Sequence, residues 1–182
     1  MGVELDQPIY AFDSTTIDLC LPLFPWARFR RRNAAVKLPT LRDIRGNIPC
    51  FIHMTEGRTA DVQVLDELVP EPGAFSLMDR GDIDFQRRYG IPQDLAFFVT
   101  RSQDNLDYRR CEGRPVDQAA GLRCDQTILL RGRKSARASP APLRRIRYYD
   151  VETDRPLVLL TNRLTLPPLV IAQLYKRRWR VE

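Results

Sequence analysis

Two short apolar segments, each leading into an aspartate, are the feature that most limits how this chain can fold. Residues 9–13 end in Asp13, and residues 74–78 are followed by Asp79. Nearly continuous apolar runs of this length are typical of strands buried on both faces of a sheet. Acids at the carboxyl ends of such strands face the crevice where open α/β sheets bind ligands. The segments predict an α/β fold with both carboxylates in one crevice, although a turn or cap role is an alternative for Asp13.

A helix is predicted from residue 167 to residue 182. Apolar residues recur there with helical spacing, and Pro167 and Pro168 precede them where a first turn tolerates proline. Tyr175, Arg178 and Glu182 follow one another at i, i+3 and i+7, so they share one face. The plain interpretation is a structural Arg/Glu pair on an ordinary helix. The alternative is that Glu182 points into a metal site, with Arg178 close by to bind phosphate.

The remaining pattern predicts further strands and two short helices. Residues 14–16 are polar and are expected to cap the first strand as the chain leaves it. Residues 36–44 and 48–55 flank a glycine-containing turn and predict a hairpin, which forms a three-stranded antiparallel unit with the first strand. The other predicted strands are 95–100, 126–130, 143–150 and 157–161, and the predicted helices are 61–69 and 83–89.

Three acidic motifs, in this order, resemble those of the DDE transposases of bacterial insertion sequences. Tyr175, Arg178 and Glu182 match the first three fixed positions of one large group's third motif, Y-x2-R-x3-E-x6-K. Residues 13–15 (DST) and 79–81 (DRG) look like that group's first and second motifs. The likeness runs through nearly the whole chain, including AVKLPTLRDIRGNIPCFIHMTEG and LRCDQTILL.

The resemblance implies a ribonuclease-H-like mixed sheet with a β-rich insertion before the last helix. It divides the chain into residues 1–100, the first part of the catalytic core, residues 101–166, the insertion, and residues 167–182, the catalytic helix returning to the core. The implied activity is metal-dependent DNA cleavage and strand transfer at insertion-sequence ends. The implied partner is double-stranded DNA, both element ends and target, with a homodimer assembled on it.

The site that the resemblance implies is a set of three carboxylates. Asp13, Asp79 and Glu182 would be both the catalytic residues and the metal ligands. Three acids without cysteine or histidine select a hard ion, so Mg²⁺ is expected and Mn²⁺ is the other choice. The residues expected to contact DNA around this site are Tyr175, Arg178 and Arg80.

The chain also departs from the family pattern. It stops at Glu182, before the later Lys, and few residues precede Ile9, where a complete member carries a DNA-binding region. Asp82 stands where Tyr usually follows Asp-Arg-Gly, and Pro39 stands where members commonly have His. We interpret the chain as a core truncated at both ends. We expect little or no transposition from it alone, because helix termini fray and a terminal carboxylate adds charge beside Glu182.

The positive charge is concentrated in the second half of the chain. Residues 101–182 hold 18 Lys and Arg against 9 Asp and Glu, whereas residues 1–100 hold 11 against 14. Arginine supplies nearly all of this excess, which suits bidentate contact with phosphate and favours a polyanion as partner. A basic surface that only aids solubility is the alternative.

A proline-rich segment in the first half, residues 19–38, combines arginines with aromatic residues. Such a loop can grip a phosphate backbone and stack on exposed bases. Alternatively, the aromatic residues anchor the loop while the arginines stay solvated. The predicted DNA-binding residues of this loop are Trp26, Arg28, Arg30, Arg31 and Arg32.

The cysteines and the histidine predict neither zinc nor disulfides. Cys20, Cys50, Cys111 and Cys124 lack C-x2-C spacing, and His53 is best explained as a structural histidine in an apolar strand. No apolar run approaches a membrane span and no secretion signal is present, so a cytoplasmic, nucleoid-associated protein is expected. Two rival functions stay open: a nuclease of the same fold that cuts without joining, and a non-catalytic DNA-binding remnant.

Overall fold

The described part of the chain consists mainly of strands. The structure, a computed structural model, describes residues 7–20, 23, 28–30, 33–56, 71–79, 96–132, 136–137 and 139–178. The strands are β1 (Ile9–Leu19), β2 (Arg28–Arg30), β3 (Asn33–Asp43), β4 (Ile48–Ile52), β5 (Thr55–Glu56), β6 (Phe75–Met78), β7 (Phe97–Arg101), β8 (Tyr108–Gly113), β9 (Leu122–Leu130), β10 (Leu143–Asp150) and β11 (Arg155–Thr161). Helix α1 covers Pro168–Arg177. The predicted helices 61–69 and 83–89 lie outside the described residues.

All eleven strands of the described residues belong to one mixed sheet. Its order is β2-β3-β1-β6-β7-β11-β10-β9-β8, and β4 and β5 also pair with β3. Strand β6 lies between β1 and β7 and is parallel to both, whereas the remaining pairings are antiparallel. The predicted α/β class with a ribonuclease-H-like mixed sheet is confirmed, and so is the antiparallel unit β1-β3-β4.

Strand β1 is longer than the sequence predicts. Residues 14–16 were expected to cap the strand end, but that prediction is wrong, because β1 continues to Leu19 and pairs with β3 as far as Ala34. Thr15, Thr16 and Ile17 are β-branched and favour a pleated strand. All three are exposed, so this part of β1 faces solvent. Asp13 therefore lies within a strand, not at a turn.

The apolar residues fill the two faces of the sheet separately. Helix α1 covers one face, where its buried residues pack against strand residues that alternate along β1, β6 and β7. The members of this core include Ile9, Phe75, Leu77, Val99, Ile171, Ala172, Leu174 and Tyr175. The opposite face carries a second cluster that includes Phe12, Met78, Phe98 and Leu160. The helix predicted from residue 167 is confirmed as far as Arg177, with Pro168 in its first turn.

The β-rich part after β7 extends the core sheet directly. Strand β11 pairs with β7 through Leu159 and Arg101, and β10, β9 and β8 follow in antiparallel order. The predicted strands 126–130, 143–150 and 157–161 are confirmed within β9, β10 and β11. The division of the chain into a core, an insertion and a catalytic helix stays a prediction.

A buried ion pair joins this extension to the start of α1. The guanidinium of Arg144 donates from Nε to Asp125 Oδ1 at 2.8 Å and from Nη2 to Asp125 Oδ2 at 2.6 Å. Its Nη1 donates to the carbonyls of Leu164 and Leu166, just before α1. The side chains of Arg144 and Asp125 are only 3% and 2% exposed. The pair thereby fixes two strands and the segment that leads into the helix.

The other end of α1 is held by Lys176. Its Nζ donates to Asp150 Oδ1 at 2.6 Å and to Glu152 Oε2 at 2.8 Å, at the end of β10 and in the turn after it. Burial alone would raise the pKa of Asp150, but hydrogen bonds from Lys176 and Thr153 outweigh it and hold that pKa below its ordinary value. The helix is thus attached to the extension near both of its described ends.

We expect Lys176→Met to lower the free energy of unfolding by about 1.5–3 kcal/mol at pH 7, because it leaves the buried Asp150 carboxylate without its cation. The exposed partner offers a control, and Glu152→Gln should cost less than about 1 kcal/mol. The contribution of Asp150 to stability is complete above pH 3.8, the pKa of an unfolded aspartate. It is lost as pH falls through the lower pKa that Asp150 has in the folded chain. Urea unfolding between pH 2.5 and 7 measures this; a pH-independent difference would contradict it.

Candidate active site

Asp13 and Asp79 occupy equivalent positions on neighbouring parallel strands. Ala11 of β1 is in register with Leu77 of β6, so two residues further along each strand Asp13 lies beside Asp79. Residues in register on adjacent strands point to the same face, and here it is the face that α1 covers. The carboxylates remain accessible, with 61% of the Asp13 side chain and 35% of the Asp79 side chain exposed. The prediction that both acids face one crevice agrees with this placement.

Arg178 lies between the two carboxylates. Its Nη2 donates to Asp13 Oδ1 at 3.1 Å, and its Nη1 lies 3.6 Å from Asp79 Oδ2. The side chain is only 5% exposed. Arg178 directly follows α1, so the helix places this cation beside the two acids, and the guanidinium neutralises part of the repulsion between them.

Tyr175 places a neutral hydroxyl beside Asp79. Its Oη donates to Asp79 Oδ1 at 3.4 Å, and the residue is fully buried in the core between α1 and the sheet. Burial and then the negative charge of Asp79 raise the pKa of Tyr175 well above the ordinary 10, although Arg178 and Arg101 act in the opposite direction. The hydroxyl therefore keeps its proton throughout the physiological pH range and acts only as a donor towards the carboxylate.

This protonated tyrosine predicts a loss of stability in alkali. Unfolded tyrosine releases its proton near pH 10, whereas Tyr175 in the folded chain holds it, so stability is complete below pH 10 and falls as pH rises through the folded pKa. We expect Tyr175→Phe to lose less stability than the unmodified chain between pH 9 and about 11.5. Tyr10, whose pKa burial raises to about 12, stays in both chains and cancels in the comparison. Urea midpoints across this range provide the measurement; parallel curves would contradict it.

Arg101 is a residue of this site that the sequence did not single out. Strands β6 and β7 pair from Phe75 with Phe97 to Met78 with Thr100, so Arg101 follows in register with Asp79. The hydroxyl of Thr100 donates to the Asp79 carbonyl at 3.3 Å and holds the two strand ends together. Only the pairing of β6 with β7 reveals this position, since in the sequence Arg101 is one charge at the end of a strand.

The donor chemistry of the site fits a divalent cation. Asp13 and Asp79 offer carboxylate oxygens, which hard ions prefer, and both side chains have exposed surface. Within the described residues, no three His, Cys, Asp or Glu side chains are grouped closely enough to hold an ion. The predicted third acid, Glu182, lies outside the part of the chain that the structure describes.

Several predicted DNA-binding residues fall outside the described residues as well. They are Trp26, Arg31, Arg32 and Arg80. Arg28 and Arg30 lie in β2, beside Ala34 and Asn33 of β3, and only their backbone is described. The predicted DNA-binding role of this segment therefore stays a prediction.

The histidine and all four cysteines lie within the described residues. The ring of His53 is half-buried and stacks on Phe51 with the centroids 6.0 Å apart, which agrees with a structural role. All four cysteines are free thiols, three of them exposed and Cys124 half-buried. Within the described ranges, no helix combines the length and the apolar character needed to cross a membrane.

Comparison with known proteins gives consistent matches. A family model described as the transposase DDE domain matches residues 4–182. The chain is 30% identical over 174 residues to the putative transposase y4zB of Sinorhizobium fredii, covering 93% of this chain and 48% of that protein. It is 25% identical over 183 residues to the probable transposase for insertion sequence element IS5377 of Geobacillus stearothermophilus, covering 100% of this chain and 48% of that protein. The chain thus spans about half the length of these curated relatives.

Proposed function

Because this chain belongs to the transposase DDE domain family, we propose that it forms the catalytic core of an insertion-sequence transposase. In this proposal it cleaves DNA at the ends of the element and joins the freed ends to a target. The curated relatives that it matches are named as transposases. The chain spans about half of their length, and the family match supports the proposed activity.

One observation carries the proposal: Asp13 and Asp79 each lie two residues beyond the paired Ala11 and Leu77 of adjacent parallel strands, and Arg178 contacts both carboxylates. Neighbouring strands are about 4.8 Å apart, so two carboxylates in register can approach the same bound ion. A purely structural pair of acids would more commonly be buried with its partners, whereas these side chains are 61% and 35% exposed. An accessible pair of acids at one crevice suits a substrate that enters from solvent.

The cofactor of this site is a divalent cation, as in the family generally, and we propose Mg²⁺ with Mn²⁺ as the substitute. Asp13, Asp79 and Glu182 would hold it. When bound, two such ions can activate the attacking oxygen and stabilise the leaving oxygen in an in-line displacement at phosphorus. In the first step a water oxygen bonds to phosphorus and the P–O bond to the 3′ oxygen breaks, which leaves a 3′-hydroxyl. In the second step that hydroxyl attacks a target phosphorus, and a target 3′ oxygen leaves.

The basic side chains beside the acids orient the DNA. Arg178 already lies within 3.1 Å of Asp13 and 3.6 Å of Asp79, so its guanidinium is placed to contact a phosphate that reaches those carboxylates. Tyr175 stays protonated and can donate to a phosphate oxygen or hold Asp79 in place. The arginines around β2, together with Trp26 and Arg80, would grip the duplex further away, and assembly as a homodimer would bring two element ends together.

An assay of cleavage and strand joining, with and without Mg²⁺, tests the proposal. It is run on this chain and on a form extended past Glu182 with residues taken from a curated relative. We expect Mg²⁺-dependent nicking followed by joining from the extended form. Cleavage without joining would instead identify a nuclease of the same fold. DNA binding with a steep salt dependence but no response to Mg²⁺ would identify a non-catalytic DNA-binding protein.

A further inference from the structure

Three charged side chains stand in one row across the parallel strands. The register of β1, β6 and β7 places Asp13, Asp79 and Arg101 at the same level, with two negative charges followed by one positive charge. Residues at the same level of adjacent strands point to the same face of the sheet. Leu159 of β11 pairs with Arg101 and belongs to the core beneath α1, which places Arg101 on the α1 side as well.

The guanidinium of Arg101 is one of four among the described arginines with a buried N–H that has no acceptor. Its Nε is buried without a hydrogen-bond partner, although the residue as a whole is half-buried. Arg144, in contrast, donates to both oxygens of Asp125 and to two backbone carbonyls. A buried donor without an acceptor costs about 1–3 kcal/mol, so an acceptor supplied by a ligand would relieve this cost at Arg101.

The position of Arg101 indicates which acceptor the site would supply. Arg101 follows Thr100, whose hydroxyl donates to the carbonyl of Asp79, and its positive charge opposes the rise in the pKa of Tyr175. An anion that reaches Asp79 therefore comes within range of Arg101. Phosphate oxygens match the planar fork of a guanidinium, which can donate two parallel hydrogen bonds to them.

We propose that Arg101 binds a backbone phosphate of the DNA strand that is cut, on the side of Asp79 away from Asp13. This inference rests on the proposed function and extends it to a residue outside the three acidic motifs. Arg178 stands between the acids, whereas Arg101 flanks them. The strand would thus be held on both sides of Asp79, which fixes its direction across the site.

The test compares Arg101→Gln with Arg45→Gln, which removes the same charge. Arg45 lies in the turn between β3 and β4, where it pairs with Asp43, and the backbone there bonds to Ile9 at the start of β1, away from Asp13. Binding of a labelled DNA duplex is measured against salt concentration without Mg²⁺, and cleavage by the extended form with the same substitutions is then measured with Mg²⁺. We expect Arg101→Gln to make the slope of log affinity against log salt shallower by about one and to slow cleavage, while Arg45→Gln leaves both unchanged.

Arg101→Lys separates phosphate binding from a purely structural role. It keeps the charge, so it should restore the salt slope, but it lacks the bidentate fork and should restore cleavage only partly. Equal slopes for Arg101→Gln and the unmodified chain would overturn the inference. If Arg101→Gln does not fold, Arg101→Lys is compared with the unmodified chain. A salt slope that is shallower by about one in Arg101→Lys would then overturn the inference. An unmodified chain that shows no salt-dependent binding at all would refute the proposed function itself, and this inference with it.

Discussion

Replacing Asp79 with asparagine is expected to reduce Mg²⁺-dependent DNA cleavage by at least about 10²–10³-fold, the loss typical when one electrostatic stabiliser of a transition state is removed. Asparagine keeps the shape of the side chain and an oxygen that can accept from Tyr175, so the substitution removes charge with little change in packing. Asp13→Asn should act in the same way, because Asp13 stands in register with Asp79. Direct titration with Mn²⁺ should show weaker binding in both variants.

Asp43→Asn is the matched control for these two substitutions. Asp43 lies on β3 and forms an ion pair with Arg45. Its neighbour on β1 is Tyr10, which is three residues from Asp13. The substitution Asp43→Asn removes one carboxylate from the same sheet and leaves Asp13 and Asp79 unchanged. Cleavage and Mn²⁺ binding should be unchanged in this variant. Unaltered Mn²⁺ affinity in both Asp13→Asn and Asp79→Asn would remove the basis for the proposed enzyme.

The second large effect is expected at Arg144, for which no role in catalysis is proposed. Arg144→Met should lower the free energy of unfolding by about 3–5 kcal/mol, because the buried Asp125 loses both of its short hydrogen bonds and keeps only Arg114, 3.5 Å away, as a cation. The carbonyls of Leu164 and Leu166 lose their donor as well, which loosens the segment before α1. Domains of this size are commonly stable by only about 5–15 kcal/mol, so this is a large share of the total.

Arg145→Met provides the control in the same strand. Arg145 points to the other face of β10, where its guanidinium lies 5.2 Å from the ring centroid of Tyr108, and its loss should cost about 0.5–1 kcal/mol. The double variant Asp125→Leu/Arg144→Met should recover most of the lost stability, since apolar replacement of a buried ion pair is often neutral. Urea unfolding followed by circular dichroism gives all three values. An Arg144→Met variant within about 1 kcal/mol of the unmodified chain would contradict the importance of the pair.

The sequence predicted the meeting of Asp13 and Asp79 because two local patterns were enough. Each acid follows a run of apolar residues short enough to be a buried strand, and parallel strands bring equivalent ends together. The same reasoning placed the end of β1 wrongly, because polar residues after Asp13 resemble a turn. In the structure they form a strand whose side chains face solvent, and only pairing with β3 distinguishes the two cases.

The arginines show where sequence reasoning ends. Arg144, Arg145 and Arg147 form one basic cluster in the sequence, but Arg144 is buried because its partner Asp125, 19 residues earlier, lies on the neighbouring strand. Arg101 shows the converse, since nothing near it in the sequence connects it with Asp79. Charge runs indicate a polyanion partner, but only strand register separates the arginines that stabilise the fold from those that can contact a ligand.

The pairing of β7 with β11 has a consequence for any attempt to shorten this protein. Without strands β8 to β11, the side of β7 that now bonds to β11 would present unpaired amide and carbonyl groups to solvent. An exposed strand border of that kind is a template on which further chains can add, and it promotes aggregation. The extension therefore serves as a protective cover for the parallel strands that carry the two acids, in addition to any contact it makes with nucleic acid.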